Sequence, residues 1–231
     1  GYHRQTVSAV NAPPVETVAG QLGTGVRVET VMRAYDSALE RNLRQTLRQD
    51  GYYQTYTSRL EQIESTLAPE GVSALAAAVS DFAAGWSSLD AAPTSPAARD
   101  RLLQSGTRLA QELNRSHADL VSLREGIVDG GGGGALPETV AEVNRMAASV
   151  AALNRQISTI ESRKFNPQKA NDLRDRRDAL VGDLSRLVDM ETAEEADGTW
   201  TIRIGGDELV TGDTVSELRV QETAGAPGVV W

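Results

Sequence analysis

The chain has no cysteine. This excludes disulfides, thiol catalysis and the usual thiolate zinc sites, and leaves the compartment open. Aromatic residues are scarce, at 4 %, so no aromatic cluster can organise a core. Only two histidines occur, His3 and His117, and a Ser–His–Asp arrangement would have to use one of them. Basic residues are outnumbered: 23 Lys and Arg against 32 Asp and Glu give a net charge of −9. Nucleic-acid binding normally needs a basic face, so no nucleic-acid partner is expected. No apolar run reaches the roughly 18–20 residues of a membrane span, so no membrane is expected either. No signal peptide is visible. The chain opens at Gly1-Tyr2 without Met and closes at Trp231 in strand-like sequence, and reads as a fragment.

What is present favours helix. The 231 residues can hold one core, or one core and a small second unit. Ala, Leu, Arg, Gln and Glu carry much of the sequence. Residues 1–28 read as an extended arm with a short strand: Pro13-Pro14 bars helix, and Val26 and Val28 alternate. Residues 29–190 read as a helical rod. A first helix is predicted from Glu29 to Leu67, with Leu39, Leu43 and Leu47 at spacing four and Tyr53, Tyr56, Leu60, Ile63 and Leu67 at 3-4-3-4; Gly51 offers a bend, and Pro69-Glu70-Gly71 ends it. A second carries Val72, Leu75, Val79, Phe82, Trp86 and Leu89. Ser95 and Pro96 predict the cap and first position of a third, with Leu109, Leu113, Ser116, Leu120, Leu123 and Ile127 on its seam. The glycines Gly130 to Gly134 predict a mobile loop. A fourth, from near Pro137-Glu138, repeats Val143, Met146, Val150, Leu153, Ile157 and Ile160, and Asn166-Pro167 stops it. A fifth, from about Gln168 to Val188, shows Leu173, Leu180, Leu184 and Leu187. Residues 191–231 fall to a period of two, with Trp200, Ile202 and Ile204 alternating, and read as a β-hairpin unit that starts an outer β domain. The expected fold is mainly α: an elongated antiparallel bundle of long coiled-coil-like helices, with a small β unit at the C-terminal end.

Chemistry is thinly represented. His3 lies in the arm, and His117 lies beside the third seam, next to Ser116; neither belongs to a HExxH or Cys/His pattern. Asp172, Asp175 and Asp178, at i, i+3 and i+6, approach one helix face and could hold a hard cation. Arg174, Arg176 and Arg177 interleave with them, and Arg174 with Asp178 makes an i, i+4 pair, so a salt-bridged helix face is the expectation. Gly130–Gly134 follows a helix and precedes no Gly-Lys-Ser/Thr, and Gly23-Thr24-Gly25 is too short for a dinucleotide fingerprint. No catalytic, cofactor or metal site is therefore assigned. Tyr2, Tyr52 and Trp231 read equally as interface anchors and as partly exposed aromatics. The apolar seams read first as core and second as contacts to other subunits; the sequence does not separate the two.

Several segments carry a family resemblance. Gly1-Tyr2-His3-Arg4-Gln5 resembles the Gly-Tyr-Ser-Arg-Gln of flagellar hook-associated protein 1 and related axial proteins, with His3 in place of Ser. Gly23-Thr24-Gly25-Val26 and Arg33-Ala34-Tyr35-Asp36 are similar to that family's Gly-x-Gly-Val and Arg-x-Tyr-Asp. Asp81-Phe82 with Trp86 and Leu89, and Ala97-Ala98-Arg99, follow in family order. Leu153-Asn154-Arg155-Gln156-Ile157 resembles Leu-Asn-x-Gln-Ile. Asn171-Asp172-Leu173-Arg174-Asp175-Arg176-Arg177-Asp178-Ala179-Leu180 resembles Asn-x-Leu-x-Asp-x-Arg-Asp-x-Leu. Asp197-Gly198-Thr199-Trp200 and Leu209-Val210 with Gly212 echo the β segment beyond.

The resemblance implies a non-enzymatic axial subunit of the bacterial flagellum that joins hook to filament as an adaptor layer. It implies contacts with further copies, with the hook protein and with the other hook-associated proteins. It also implies export through the flagellar type III apparatus to an extracellular position, and an export chaperone on the family's C-terminal region. With the family's terminal assembly helices outside these residues, the isolated chain is expected to be a monomer. The alternatives are another axial protein, such as hook-associated protein 3 or a flagellin, and a ligand-binding helical sensor bundle.

Overall fold

Three of the five helices in the computed structural model begin where a side chain takes up first-turn amides. Asp36 Oδ1 accepts from the N–H groups of Ala38 and Leu39 at 2.9 and 3.1 Å, and α1 follows as Ser37–Leu67. Ser73 accepts from Ala76 N–H and opens α2, Ala74–Ala91. Ser95 Oγ accepts from Ala98 N–H, and α3, Pro96–Val128, starts on proline as its sequence predicts. α4 is Ala135–Glu161 and α5 is Asn171–Leu187. The structure describes residues 3–68, 73–128, 134–162, 169–223 and 226–231. The expected helix stops at Pro69-Glu70-Gly71 and Asn166-Pro167, the mobile loop up to Gly133, and Tyr2 lie outside the described residues.

Before α1 come β1 (Gln5–Asn11), β2 (Val15–Thr17), β3 (Gly20–Leu22) and β4 (Val26–Arg33). β1 and β4 pair antiparallel, Gln5 opposite Arg33 and Asn11 opposite Val26, with a bulge between Ser8 and Ala9. β2 and β3 form a hairpin, Val15 opposite Leu22. The helix expected from Glu29 starts only at Ser37. The β-branched residues Val28, Thr30 and Val31 instead complete the ladder with β1. After α5, β5 (Glu191–Glu194), β6 (Trp200–Ile204), β7 (Asp207–Thr211) and β8 (Thr214–Val215) form an antiparallel meander in that order. β9 (Arg219–Thr223) and β10 (Ala226–Val230) form a separate hairpin. The β6–β7 turn uses Gly205 and Gly206 at φ 63° and 98°, which side chains rarely adopt. Among the described residues the chain is thus mainly helical, with five helices and a small antiparallel strand unit at its C-terminal end.

Two compact units are present: residues 1–52 with 139–231, and residues 53–138. In the first, α4 buries Val140, Val143, Ala147, Val150, Ala151, Asn154 and Ile157, and the β unit buries Trp200, Ile202, Leu209, Val210 and Leu218. Two asparagines of α4 bind this β unit through backbone groups. Asn144 donates to Leu218 O at 2.8 Å and accepts from Leu218 N–H at 3.0 Å. Asn154 does the same with Trp200, and donates as well to Gly212 O. α5 lies close to α1: a Cβ on Gly51 would stand 2.0 Å from the Arg186 carbonyl oxygen. Gly51 therefore serves close approach, and the helix is unbroken there.

The second unit is built on α2 and α3, and its contact face differs from the predicted seam. Ala78 and Gly85 of α2 are buried, as are Ala98 and Ser105 of α3, whereas Val79 and Trp86 face outward. A Cβ on Gly85 would lie 3.0 Å from Ser105 Oγ and 3.2 Å from Leu102 Cδ1. Small residues bring the two helices together, with the Phe82 ring of the predicted seam lying against Gly106 of α3, where a Cβ would stand 3.4 Å from it. Leu113 and Leu120 of α3 are likewise exposed. α1 buries no residue fully, and Leu39, Leu43, Leu60 and Ile63 of its predicted seam are exposed. Periodicity identified these helices correctly but assigned the wrong cover to several of their faces. On α5, Leu184 is fully buried, Leu173 and Leu180 are half-buried and Leu187 is exposed; much of the buried face is polar.

Replacing Gly51 by Ala is expected to cost about 1–3 kcal/mol through overpacking against Arg186, measured by thermal unfolding. Leu184→Asp is expected to unfold the first unit, since it places a carboxylate at a fully buried position. Leu153→Asp is expected to cost less, because Leu153 is half-buried. Equal loss in the two Asp variants would contradict this core assignment.

Candidate functional site

The aspartates of α5 are salt-bridged, but not to their neighbours on α5. Asp172 is exposed, but Asp175 and Asp178 are buried together with Arg177. Their partners come from distant parts of the chain. Arg33, at the end of β4, donates from Nη1 to Asp175 Oδ1 at 2.8 Å and to Asp178 Oδ2 at 2.6 Å. The expected Arg174–Asp178 pair is replaced by these contacts, because Arg33 already occupies Asp178. Arg174 turns instead to Glu161 of α4, in a two-point pair at 2.8 and 2.9 Å, and to Glu194 of β5 at 2.6 Å. Arg176 is exposed.

His3 joins this cluster from the N-terminal side. Its backbone N–H donates to Asp175 Oδ2 at 3.2 Å, its Nδ1 is 2.8 Å from Asp175 Oδ1, and its Nε2 is 3.2 Å from Glu40 Oε1 of α1. Both ring nitrogens thus face carboxylate oxygens. Arg33 also lies over the Tyr35 ring, 4.7 Å from its centroid, and Asn171 donates to Val31 O at 3.0 Å. His117, the other histidine, is exposed on α3.

Arg177 occupies the other side of α5. It is fully buried, stacks 4.7 Å from the Trp200 ring centroid, and donates to Asn154 Oδ1 and to Gly198 O at 3.0 and 2.7 Å. Asn154 thereby accepts from Arg177 and from Trp200 N–H while donating to two carbonyls. Arg33, Asn154, Glu161 and Trp200 were assigned no role from sequence. The signal lay in the resemblance: Arg33, Asn154 and Trp200 sit inside quoted motifs, and these motifs converge here.

Charge and burial compete within the cluster. Burial alone would push the Glu161 carboxyl up, but the Arg174 hydrogen bonds, the Ala170 N–H and the Lys169 ammonium outweigh it and bring it to about 2. Asp175 is lowered in the same way, its burial outweighed by Arg33 and His3. Asp178 goes up, because its burial exceeds what Arg33 returns. Burial also lowers Arg177, to about 10, so it stays charged at neutral pH.

The ligand atoms of His3, Asp175 and Asp178 lie within 4.8 Å of one another, close enough for one metal ion. The Arg33 guanidinium, bonded to both aspartates, supplies the cation of this group. The chemistry of the arrangement is that of an internal lock: it ties the end of β4 and the N-terminal residues to α5, and α5 to α4 and the β unit.

Removing Arg33 as Arg33→Met is expected to cost about 3–5 kcal/mol, since two buried carboxylates lose their cation. Adding Asp178→Asn is expected to recover part of that loss in thermal unfolding. The depressed Glu161 contributes stability above the ordinary carboxylate range, and this is lost as pH falls from about 4.5 through about 2. Asp178, being raised, acts with the opposite sign. Glu161→Gln is therefore expected to lower the melting temperature at pH 7, with the gap to the parent chain closing toward pH 2.

Residues 60–231 match the family described as the flagellar hook-associated protein FlgK helical domain. The chain is 28 % identical over 228 residues to flagellar hook-associated protein 1 of Salmonella typhimurium, covering 98 % of this chain and 40 % of that one. The Escherichia coli K12 protein of the same name gives the same identity and coverage. Flagellar hook-associated protein 1 of Bacillus subtilis is 30 % identical over 208 residues, covering 86 % of this chain and 39 % of the relative. The chain thus spans about 40 % of the length of these relatives. Among solved structures, the flagellar hook junction protein FlgK from Burkholderia pseudomallei matches with a TM-score of 0.65 at 22 % identity, over 84 % of this chain and 33 % of that one, a likeness of fold. The chain belongs to the FlgK family of flagellar hook-associated proteins, and residues 60–231 match its helical domain.

Proposed function

We propose that this chain is the helical part of a structural axial subunit of the bacterial flagellum, one that joins hook to filament as an adaptor layer. The observation that carries the reading is the family match over residues 60–231, together with relatives named flagellar hook-associated protein 1 along almost the whole chain. The geometry fits a passive part. Asp175 and Asp178 are held by Arg33, and the His3 ring lies between the carboxylates of Asp175 and Glu40. No catalysis is assigned. Among the described residues, no helix is long and apolar enough to cross a membrane.

The subunit works outside the cell after export through the flagellar type III apparatus. Its neighbours are further copies, the hook protein and the other hook-associated proteins, and its export chaperone engages the family's C-terminal region. The exposed seams of α1 and α3 suit such an assembly, since apolar helix faces at heptad spacing pack well against other helices. In dilute solution the 231-residue chain is monomeric.

Deleting the full-length gene in its source organism is expected to leave bare hooks and to release flagellin monomers into the medium. Intact filaments on normal hooks would overturn the reading. Light scattering of the dilute chain is expected to give the monomer mass of 24.7 kDa; a stable large oligomer would contradict it.

A further inference from the structure

The His3 ring has a carboxylate at each nitrogen. Nε2 is 3.2 Å from Glu40 Oε1, and Nδ1 is 2.8 Å from Asp175 Oδ1. A neutral imidazole carries one ring hydrogen. Given to Glu40, that hydrogen leaves Nδ1 as a bare lone pair turned toward Asp175. A histidine held by a carboxylate at one nitrogen and offering the other is the usual arrangement of a metal ligand. Further ligand atoms are in place: one atom each from His3, Asp175 and Asp178 lie within 4.8 Å of one another. Neighbouring ligand atoms on one zinc ion stand roughly 3–3.5 Å apart, so a small contraction closes the set. Asp178 Oδ1 marks the same place. It is buried and has no hydrogen-bond partner among the described residues, a costly state for a carboxylate oxygen. Arg33 reaches both aspartates through a single nitrogen, Nη1, and leaves this oxygen uncovered. Positive charge is short as well. Arg33 alone bonds Asp175 and Asp178, and Arg44 reaches only Glu40, at 4.0 Å. His3, Glu40, Asp178 and Asp183 line one cavity of about 520 Å³, which gives an ion a path to the set.

We propose that His3, Asp175 and Asp178 bind one zinc ion, with Glu40 as the positioning residue that fixes the imidazole. Each carboxylate oxygen has two lone pairs, so the oxygens that accept from Arg33 can ligate the ion as well. Arg33 stays in contact, and the ion adds the charge that one guanidinium does not supply. The donor set selects the metal. One imidazole with two carboxylates suits zinc, whereas magnesium and calcium take oxygen ligands and leave the ring unused. His3 and Asp175 stand 172 positions apart in the chain. The ion therefore ties the N-terminal residues to α5, and the strength of that tie follows the supply of metal. The site stands on these residues alone and does not depend on the axial reading.

The test titrates the chelator-stripped 231-residue chain with Zn²⁺ at neutral pH, read by calorimetry and by thermal unfolding. One ion per chain is expected, with a higher melting temperature in zinc than in chelator and no such rise in Mg²⁺. Glu40→Gln removes no ligand and is expected to weaken zinc binding by about 10–100-fold. His3→Ala and Asp178→Asn each remove a ligand and are expected to weaken it further. Each variant is compared with itself in chelator, so a change in its fold does not enter the difference. No bound zinc, an equal rise in Mg²⁺, or undiminished binding in both His3→Ala and Asp178→Asn would overturn the proposal. Loss of the ion in His117→Ala instead would overturn it too, by placing the ion on α3. Full binding in Glu40→Gln would overturn the positioning role of Glu40.

Discussion

The Arg33 guanidinium, held between the buried carboxylates of Asp175 and Asp178, is the contact on which the rest of the first unit depends. It joins residues more than 140 positions apart. Buried charges are costly, and one guanidinium between two carboxylates leaves negative charge to be met elsewhere. His3 donates its backbone N–H to Asp175, and Arg177 lowers the cost at Asp178 from the other side. α5 is therefore a polar hub of the first unit. It carries one partner set toward the ribbon and another toward α4 and the β unit.

A polar hub specifies geometry more sharply than an apolar face does. Leu184 and Val181 fill space without directional bonds, whereas Arg177 makes directional ones. It must reach Asn154, Gly198 O and the Trp200 ring together. Asn154 is similarly constrained by Trp200 and Gly212. For a subunit proposed to match two different tubes, a fixed orientation of its β unit on its helices is a functional property. The residues that carry the family resemblance enforce that orientation.

Much of this was legible in the sequence, and the failures have physical causes. The five helices, the Ser95-Pro96 start and the change of period after Met190 follow from spacing and caps, which are local. The start of α1 was placed too early, because the alternation in residues 28–33 is short and its partner strand lies some twenty residues upstream. The seams of α2 and α3 are covered only in part, with Val79, Trp86, Leu113 and Leu120 exposed, because periodicity weights bulky residues. The real crossing is made by Ala78, Gly85, Ala98 and Ser105, which hydrophobicity hardly marks. The acidic and basic run of α5 read as a helix face salt-bridged within itself, because its actual partners, Arg33 and Glu161, lie outside the helix. Burial is a property of the whole fold, and a helix-local pattern does not report it.

The most direct test of the lock is hydrogen exchange followed by mass spectrometry, comparing the parent chain with Arg33→Met at neutral pH. If the cluster couples the ribbon to α5, amide protection falls together in β4 and in α5, with a smaller loss in α4 and β6. If only β4 loosens and α5 keeps its full protection, Arg33 is a local tether and the account of α5 as the hub of the first unit is wrong.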